Sequence, residues 1–390
     1  SYMAEDRVTY SVSREALSLI TSDRNLAYTP GPTERLMIPY VAALNYLKAG
    51  DPDGAAVEAR RIEALLDQAG EDHEEARDGR HQFFHYLAGT IFEAAGDHSA
   101  ADVAYRRSGP PGESGATAPE PEPAEARGDS MGDVIVLVEQ GFVPHRVEQS
   151  VVIVIPPRQV RMLTEGSAGE KAAAAADAAA RILLTASAVY GDRSGYYRDR
   201  GYRSPLHLDP WADDCRRGRC EDDEDDGDRS DPYLLRLSWP VLHQGSAQES
   251  VPRIRVGDMG VDAIARLDLA TAARRDFNDE RPTTLARMVL RAAAKLTLSH
   301  SLGQAVGDSN ETAGQVAGLL TNLGTLLTER ADTRAWHLLP GSISLARLRL
   351  PAGTHDLRLQ MDGASGEAVN LGSVNVRPGT VTFLSTRLWN

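Results

Sequence analysis

The sequence predicts an α+β protein: helices first, then a mixed domain, then an antiparallel, β-sandwich-like sheet. Three observations carry this. Small and aromatic residues recur at helix-pair spacing between 43 and 105. A stretch rich in Pro, Gly and Glu at 109–130 offers almost nothing to bury. Four alternating runs separated by turn residues close the chain. The expected organisation is a helical region at 1–108, a linker at 109–130, a mixed α/β domain at 131–330 and a C-terminal β region at 331–390.

Residues 85–108, HYLAGTIFEAAGDHSAADVAYRRS, place Gly89, Phe92, Gly96, Ala101 and Tyr105 as the small, aromatic, turn, small and aromatic positions of a tetratricopeptide helix pair. The pattern also occurs 46 residues earlier in ALNYLKAGDPDGAAVEARRI, with Ala43, Tyr46, Gly50, Ala55 and Ala59 in the matching slots. Both copies turn on a Gly-Asp pair. Glycine takes the left-handed conformation that ends one helix, and aspartate caps the next. The alanines let the helix axes approach, and a bulky side chain at Gly89 would wedge its pair apart. Two repeats are fewer than the three that usually make a stable array, so their open face is expected to be covered by Met37–Leu47, by the C-terminal domain or by a partner.

GDVIVLVEQGFVPHRVEQSVVIVIPP reads as strand, turn and strand, with β-branched runs at Val134–Val138 and Val151–Ile155 and a stop at Pro156-Pro157. A helix is expected at 168–190, an irregular insertion at 191–231, and short strands at 233–239 and 251–256. PTTLARMVLRAAAKLTLSH (282–300) has helical apolar spacing, with Pro282 in its first turn, and a second core helix is expected at 311–329. ISLARLRL, HDLRLQM, VNLGSVNV and TVTFLSTRL then read as four strands. Leu345, Leu348 and Leu350 do not alternate cleanly, which leaves the register open.

At 390 residues, 42% apolar and 25% charged, the chain has the length for two or three domains and an ordinary globular composition. Its formal charge of −14 argues against nucleic acid and against electrostatic binding to anionic lipid. No apolar run is long enough to cross a membrane; the alanines at 172–180 are flanked or interrupted by Lys171, Asp177 and Arg181.

Candidate sites are few. Cys215 and Cys220 have four residues between them, including Gly218, suited to a local disulfide in an oxidising compartment; free thiols and a metal pair are the alternatives, and zinc would need further ligands. Asp222, Glu224 and Asp226 before Gly227 imitate the start of a calcium loop, but Tyr233 stands where an EF-hand needs its bidentate glutamate. A solvated acidic loop is the default, with calcium or a basic partner as alternatives. His81 and His85 lie one helical turn apart beside Phe83, Phe84 and Tyr86, a packed face more readily than a metal pair. Asp332, Arg334 and Trp336 suit an ion pair with a stacked guanidinium that locks helix to sheet. Arg281, Arg287, Arg291 and Lys295 are placed to meet acids of the helical repeats. No G-x-S-x-G, H-E-x-x-H or Walker motif occurs, and no catalytic residue or cofactor is expected.

Three strings, GDVIVLVEQGFVPHR (132–146), FNDERPTTLARMVLRAAAKL (277–296) and ADTRAWHLLPGSISLARLRLPAGTHDLRL (331–359), resemble an uncharacterised family of bacterial envelope proteins over most of 35–388. Members are commonly predicted lipoproteins, often encoded near activators of penicillin-binding proteins. The resemblance implies a periplasmic or outer-membrane-associated location and a fold more than an activity. A member would carry a lipidated cysteine at its mature N-terminus, where Ser1 stands here. The reading that follows is a non-enzymatic envelope scaffold binding other envelope proteins or copies of itself. A regulator or enzyme acting at peptidoglycan and a calcium-dependent surface-layer or adhesion component are the alternatives.

Overall fold

A computed structural model describes residues 24, 27–69, 79–109, 130–155, 162, 167, 169–170, 233–243, 252–257, 259–307, 329–361 and 368–389. Four helices come first: α1 (Pro32–Lys48), α2 (Pro52–Ala69), α3 (Arg80–Ala94) and α4 (His98–Arg107). They form two antiparallel hairpins because the same device operates twice. Gly50 and Gly96 both adopt φ 76°. Asp51 Oδ1 then accepts from Gly54 N at 2.9 Å, and Asp97 Oδ1 accepts from Ala100 N at 3.1 Å, each capping the helix that follows.

The strands are β1 (Met131–Gln140), β2 (His145–Ile155), β3 (Tyr233–His243), β4 (Pro252–Val256), β5 (Met259–Asp262), β6 (Ala265–Asp268), β7 (Ser342–Pro351), β8 (Gly353–Met361), β9 (Val369–Val376) and β10 (Val381–Leu388); α5 (Leu269–Gly307) follows β6. One four-stranded sheet has the order β10-β1-β7-β6, a second has β5-β4-β8-β9, and β2 and β3 form a separate ribbon. The central strand β1 runs parallel to β10 and antiparallel to β7.

Layering explains the sequence. Val134, Val136 and Val138 of β1 join Leu348 and Leu350 of β7 against Ile254, Leu357 and Leu359 of the second sheet. Ile135, Leu137, Ile343 and Leu345 point the other way, into a core made with Met37, Tyr40, Phe84, Leu87 and Ile91 of α1 and α3. A strand covered on both faces reads as a continuous apolar run, which is why β1 shows no alternation. The same applies to β7. Leu345 faces the helices while Leu348 and Leu350 face the second sheet, which resolves the register.

Several expectations change. β1, expected in the mixed domain, lies between two strands of the C-terminal region. The last four strands divide between two sheets, and β10 closes in parallel and not antiparallel. Pro282 is not at a helix start: α5 begins at Leu269, where Asp268 accepts from both Thr271 N (2.9 Å) and Thr271 Oγ1 (2.8 Å), and Pro282 sits inside it. The β2–β3 ribbon packs on α5 through Trp239, Leu235, Leu237, Met288 and Ala292. The expected helices at 168–190 and 311–329, the linker and the insertion lie almost wholly outside the described residues, as do Cys215, Cys220, Asp222, Glu224 and Asp226. No helix among the described residues is long and apolar enough to cross a membrane.

Candidate functional site

A small open cleft of about 40 Å3 lies where five segments meet: the start of α1, the β1–β2 loop with the start of β2, Leu242 of β3, the first turns of α5 and residues 335–339. Three of these belong to the three strings singled out in the sequence, as Pro144-His145-Arg146, Phe277 and Trp336-His337. Folding thus brings the distinctive segments to one place.

Its polar groups brace the walls. Gly31 precedes α1 without a side chain to cap it, and Asp276 of α5 supplies the missing acceptor: Oδ2 takes Thr33 N at 2.7 Å, while Oδ1 takes Arg80 Nη1 of α3 at 3.0 Å. A carboxylate at a helix N-terminus also opposes the helix dipole favourably. Glu34 accepts from Gly31 N at 3.3 Å, from the Tyr28 hydroxyl and, through Oε1, from Trp336 N at 2.8 Å. Burial and Glu34 push the Tyr28 phenol well up. Arg146 pairs with Glu280 at 2.7 Å and lies 5.6 Å above the Phe277 ring.

Three histidines form a row at the mouth. The His145 ring is 5.2 Å from that of His243 and 5.4 Å from that of His337. Burial, then the two neighbouring imidazoles, lowers the His145 pKa. Among the described residues no group of three or more His, Cys, Asp or Glu side chains is placed to hold a metal ion.

Asp332 and Arg334 form a bidentate pair, Nε to Oδ1 at 2.9 Å and Nη2 to Oδ2 at 2.7 Å. Burial would raise the Asp332 carboxyl, but the Arg334 hydrogen bonds outweigh it and hold it low. The Arg334 guanidinium lies 5.5 Å over the Tyr28 ring. Trp336 packs on the main core, and its backbone N–H, held by Glu34, ties this segment to α1. His85 is buried with Nδ1 2.6 Å from Glu63 Oε1, inside the helical layer. Arg291 is buried against Glu329 at 2.9 Å. One charge link between α5 and the helical hairpins runs from an acid on α5 (Asp276) to a base on α3 (Arg80).

Of the repeat positions, Ala43, Ala55, Ala59 and Ala101 are buried in the hairpins, Phe92 and Tyr105 are nearly so, and Tyr46 is 40% exposed. A Cβ on Gly89 would stand 2.7 Å from the Tyr105 ring. That ring leads to a cluster the sequence reading missed. Tyr105 OH donates to Glu93 Oε2 at 2.7 Å, and Arg347 of β7 reaches Glu93 Oε1 at 3.0 Å, Tyr105 OH at 3.1 Å and Asp133 Oδ2 of β1 at 2.7 Å. Burial alone would lower the Arg347 pKa; Tyr105, Glu93 and Asp133 more than reverse it. The available signal was parity, since Arg347 shares a strand face with Ile343 and Leu345, and Asp133 shares one with Ile135.

No protein family, curated protein or solved structure matches the chain in comparisons with each.

Proposed function

We propose that this chain is a non-enzymatic assembly protein of the bacterial cell envelope, built on tetratricopeptide-like hairpins backed by sandwich-like sheets. One observation carries the reading. The inner face of α1 and α3, which a free-standing helical repeat would offer to a peptide, is filled by β1 and β7 of the same chain and fastened by the Arg347–Glu93–Asp133 cluster. The helices therefore serve as a rigid platform, with the outer sides of α2 and α4 turned to solvent. The cleft fits this role too, because its carboxylates are spent on backbone N–H groups and arginines that join segments. The family resemblance supports the envelope location.

The deciding measurement is the state of the full-length protein released gently from its native membrane fraction. Stoichiometric recovery in a large complex is the expected result. A monomer with turnover on cell-wall fragments would replace this reading with an enzymatic one.

A further inference from the structure

Arg60 makes one of several polar contacts between the two hairpins, beside His85 with Glu63 and Arg107 with Glu63 and Asp67. Arg60 of α2 pairs with Asp97 in the turn of the second hairpin, Nη2 to Oδ2 at 3.0 Å, and its guanidinium lies 5.5 Å over the Phe92 ring of α3. Asp97 does two jobs, since its other oxygen caps α4. Moving this junction 46 residues in either direction gives its two unfinished halves. Arg60 corresponds to Arg106 on α4, which is exposed and makes no side-chain hydrogen bond or ion pair among the described residues. Phe92 and Asp97 correspond to Tyr46 and Asp51 at the opposite end. Tyr46 is 40% exposed, and Asp51 uses Oδ1 to cap α2 while Oδ2 has no partner among the described residues. The apolar surface behind them is also less complete: Ile38 and Val41 of α1 are only half-buried, whereas their counterparts Phe84 and Leu87 of α3 are fully buried.

We propose that the α4 end of one copy docks on the α1 end of another, head to tail, with Arg106 meeting Tyr46 and Asp51 of the next copy as Arg60 meets Phe92 and Asp97 within the chain. The inference rests on the assembly reading and names its partner as a second copy. The occupant is specified by the chain itself, because the donor on one end and the acceptor with its aromatic neighbour on the other are complementary in charge and match an existing junction. Such a contact is heterologous, so it leaves a free donor end and a free acceptor end on every oligomer that has not closed into a ring, and yields a series of species beyond the dimer. Exposed ion pairs are screened, so added salt weakens the assembly.

Sedimentation velocity of the full chain over a range of concentrations tests this. The wild type should shift progressively to larger species without a plateau at a dimer. Arg106→Glu should weaken association about tenfold or more, because a carboxylate then faces Asp51; Asp51→Asn removes the acceptor charge without adding repulsion and should weaken it less, while Asn retains the cap on α2, so folding is preserved. Mixing Arg106→Glu with Asp51→Lys restores a complementary pair at both kinds of contact and should recover assembly that neither shows alone. A wild type that stays monomeric at its highest soluble concentration, a closed dimer, or assembly indifferent to these changes overturns the proposal. Recovery of the monomer in a stoichiometric complex with other envelope proteins would sink this inference alone. Monomer without any complex would sink the assembly reading with it.

Discussion

The two faces of the β10-β1-β7-β6 sheet solve the same packing problem differently. Toward the second sheet, β1 and β7 present valines and leucines, with polar groups such as Gln140, Ser342 and Ser344 gathered at one end. Toward the helices the apolar contacts are interrupted by buried charge: Arg347 with Glu93 and Asp133, and Glu139 shared between Tyr40 OH at 2.9 Å and Arg387 at 3.2 Å. An apolar layer needs volume and little else, so it stabilises without choosing one arrangement strongly. A buried charge cluster contributes less net stability than its contacts suggest, but it penalises every arrangement that leaves a member unpaired. Sheet against sheet is thus held by burial, and helices against sheet are held in one orientation.

The sharpest way to break this contrast is Arg347→Ala. It leaves two carboxylates buried without their cation, and should cost about 3–5 kcal/mol in denaturant unfolding. Replacing Arg347 with Met together with Glu93→Gln and Asp133→Asn should recover most of that loss, since the cluster disappears as a unit. If the single change costs under about 1 kcal/mol, the orientation role is wrong. On the opposite face Leu348→Ala should cost about 3 kcal/mol through a cavity, and Leu348→Met under about 1.5 kcal/mol because the volume is kept. Equal costs for Ala and Met there would show that shape, and not volume, governs the apolar layer.

Two glycines refine the comparison within the helical layer. Gly89→Ala drives a Cβ to 2.7 Å from the Tyr105 ring, and Gly54→Ala drives one to 2.5 Å from the Tyr46 ring. The closer clash should be the milder one. Tyr46 is 40% exposed and swings outward, whereas Tyr105 is nearly buried and its hydroxyl is tied to Glu93. We expect about 1–3 kcal/mol of destabilisation at Gly89 and a smaller effect at Gly54, read from the two melting curves. The reverse order would detach Tyr105 from the charge cluster.

Much of the fold was legible because its signals are local. Gly50-Asp51 and Gly96-Asp97 announce their turns through backbone requirements that few other residues meet, and β1 announces double burial through five consecutive β-branched or aliphatic residues, Val134–Val138. What was not legible depends on distant pairing. Nothing near β1 states that it will run beside β10, and Pro282 looks like a helix start until Asp268 is known to cap a longer helix. The cleft shows the same limit. Trp336 was legible as part of a distinctive string, but its tether is Glu34 of α1. The His145 row joins residues from β2, β3 and the segment before β7, a juxtaposition only the fold creates.

That row gives the mildest prediction. Burial and the rings of His243 and His337 lower the His145 pKa, so the folded protein disfavours the protonated imidazole relative to the unfolded chain. The unfolded state therefore binds more protons below the ordinary histidine value of about 6.5, and stability must fall as pH falls through that value toward the lowered one. The charges facing the cleft do not cancel this: Glu34 and Asp276 are occupied by Trp336, Tyr28, Thr33 and Arg80, and Arg146 is paired with Glu280. Above that range His145 is neutral and contributes no pH dependence. His145→Gln should flatten the stability profile between about pH 5 and 7 while leaving stability at pH 8 nearly unchanged. Because the row is partly exposed, the effect should stay below that of either glycine. An unchanged slope in the variant would assign the acid sensitivity to the carboxylates of the buried clusters instead.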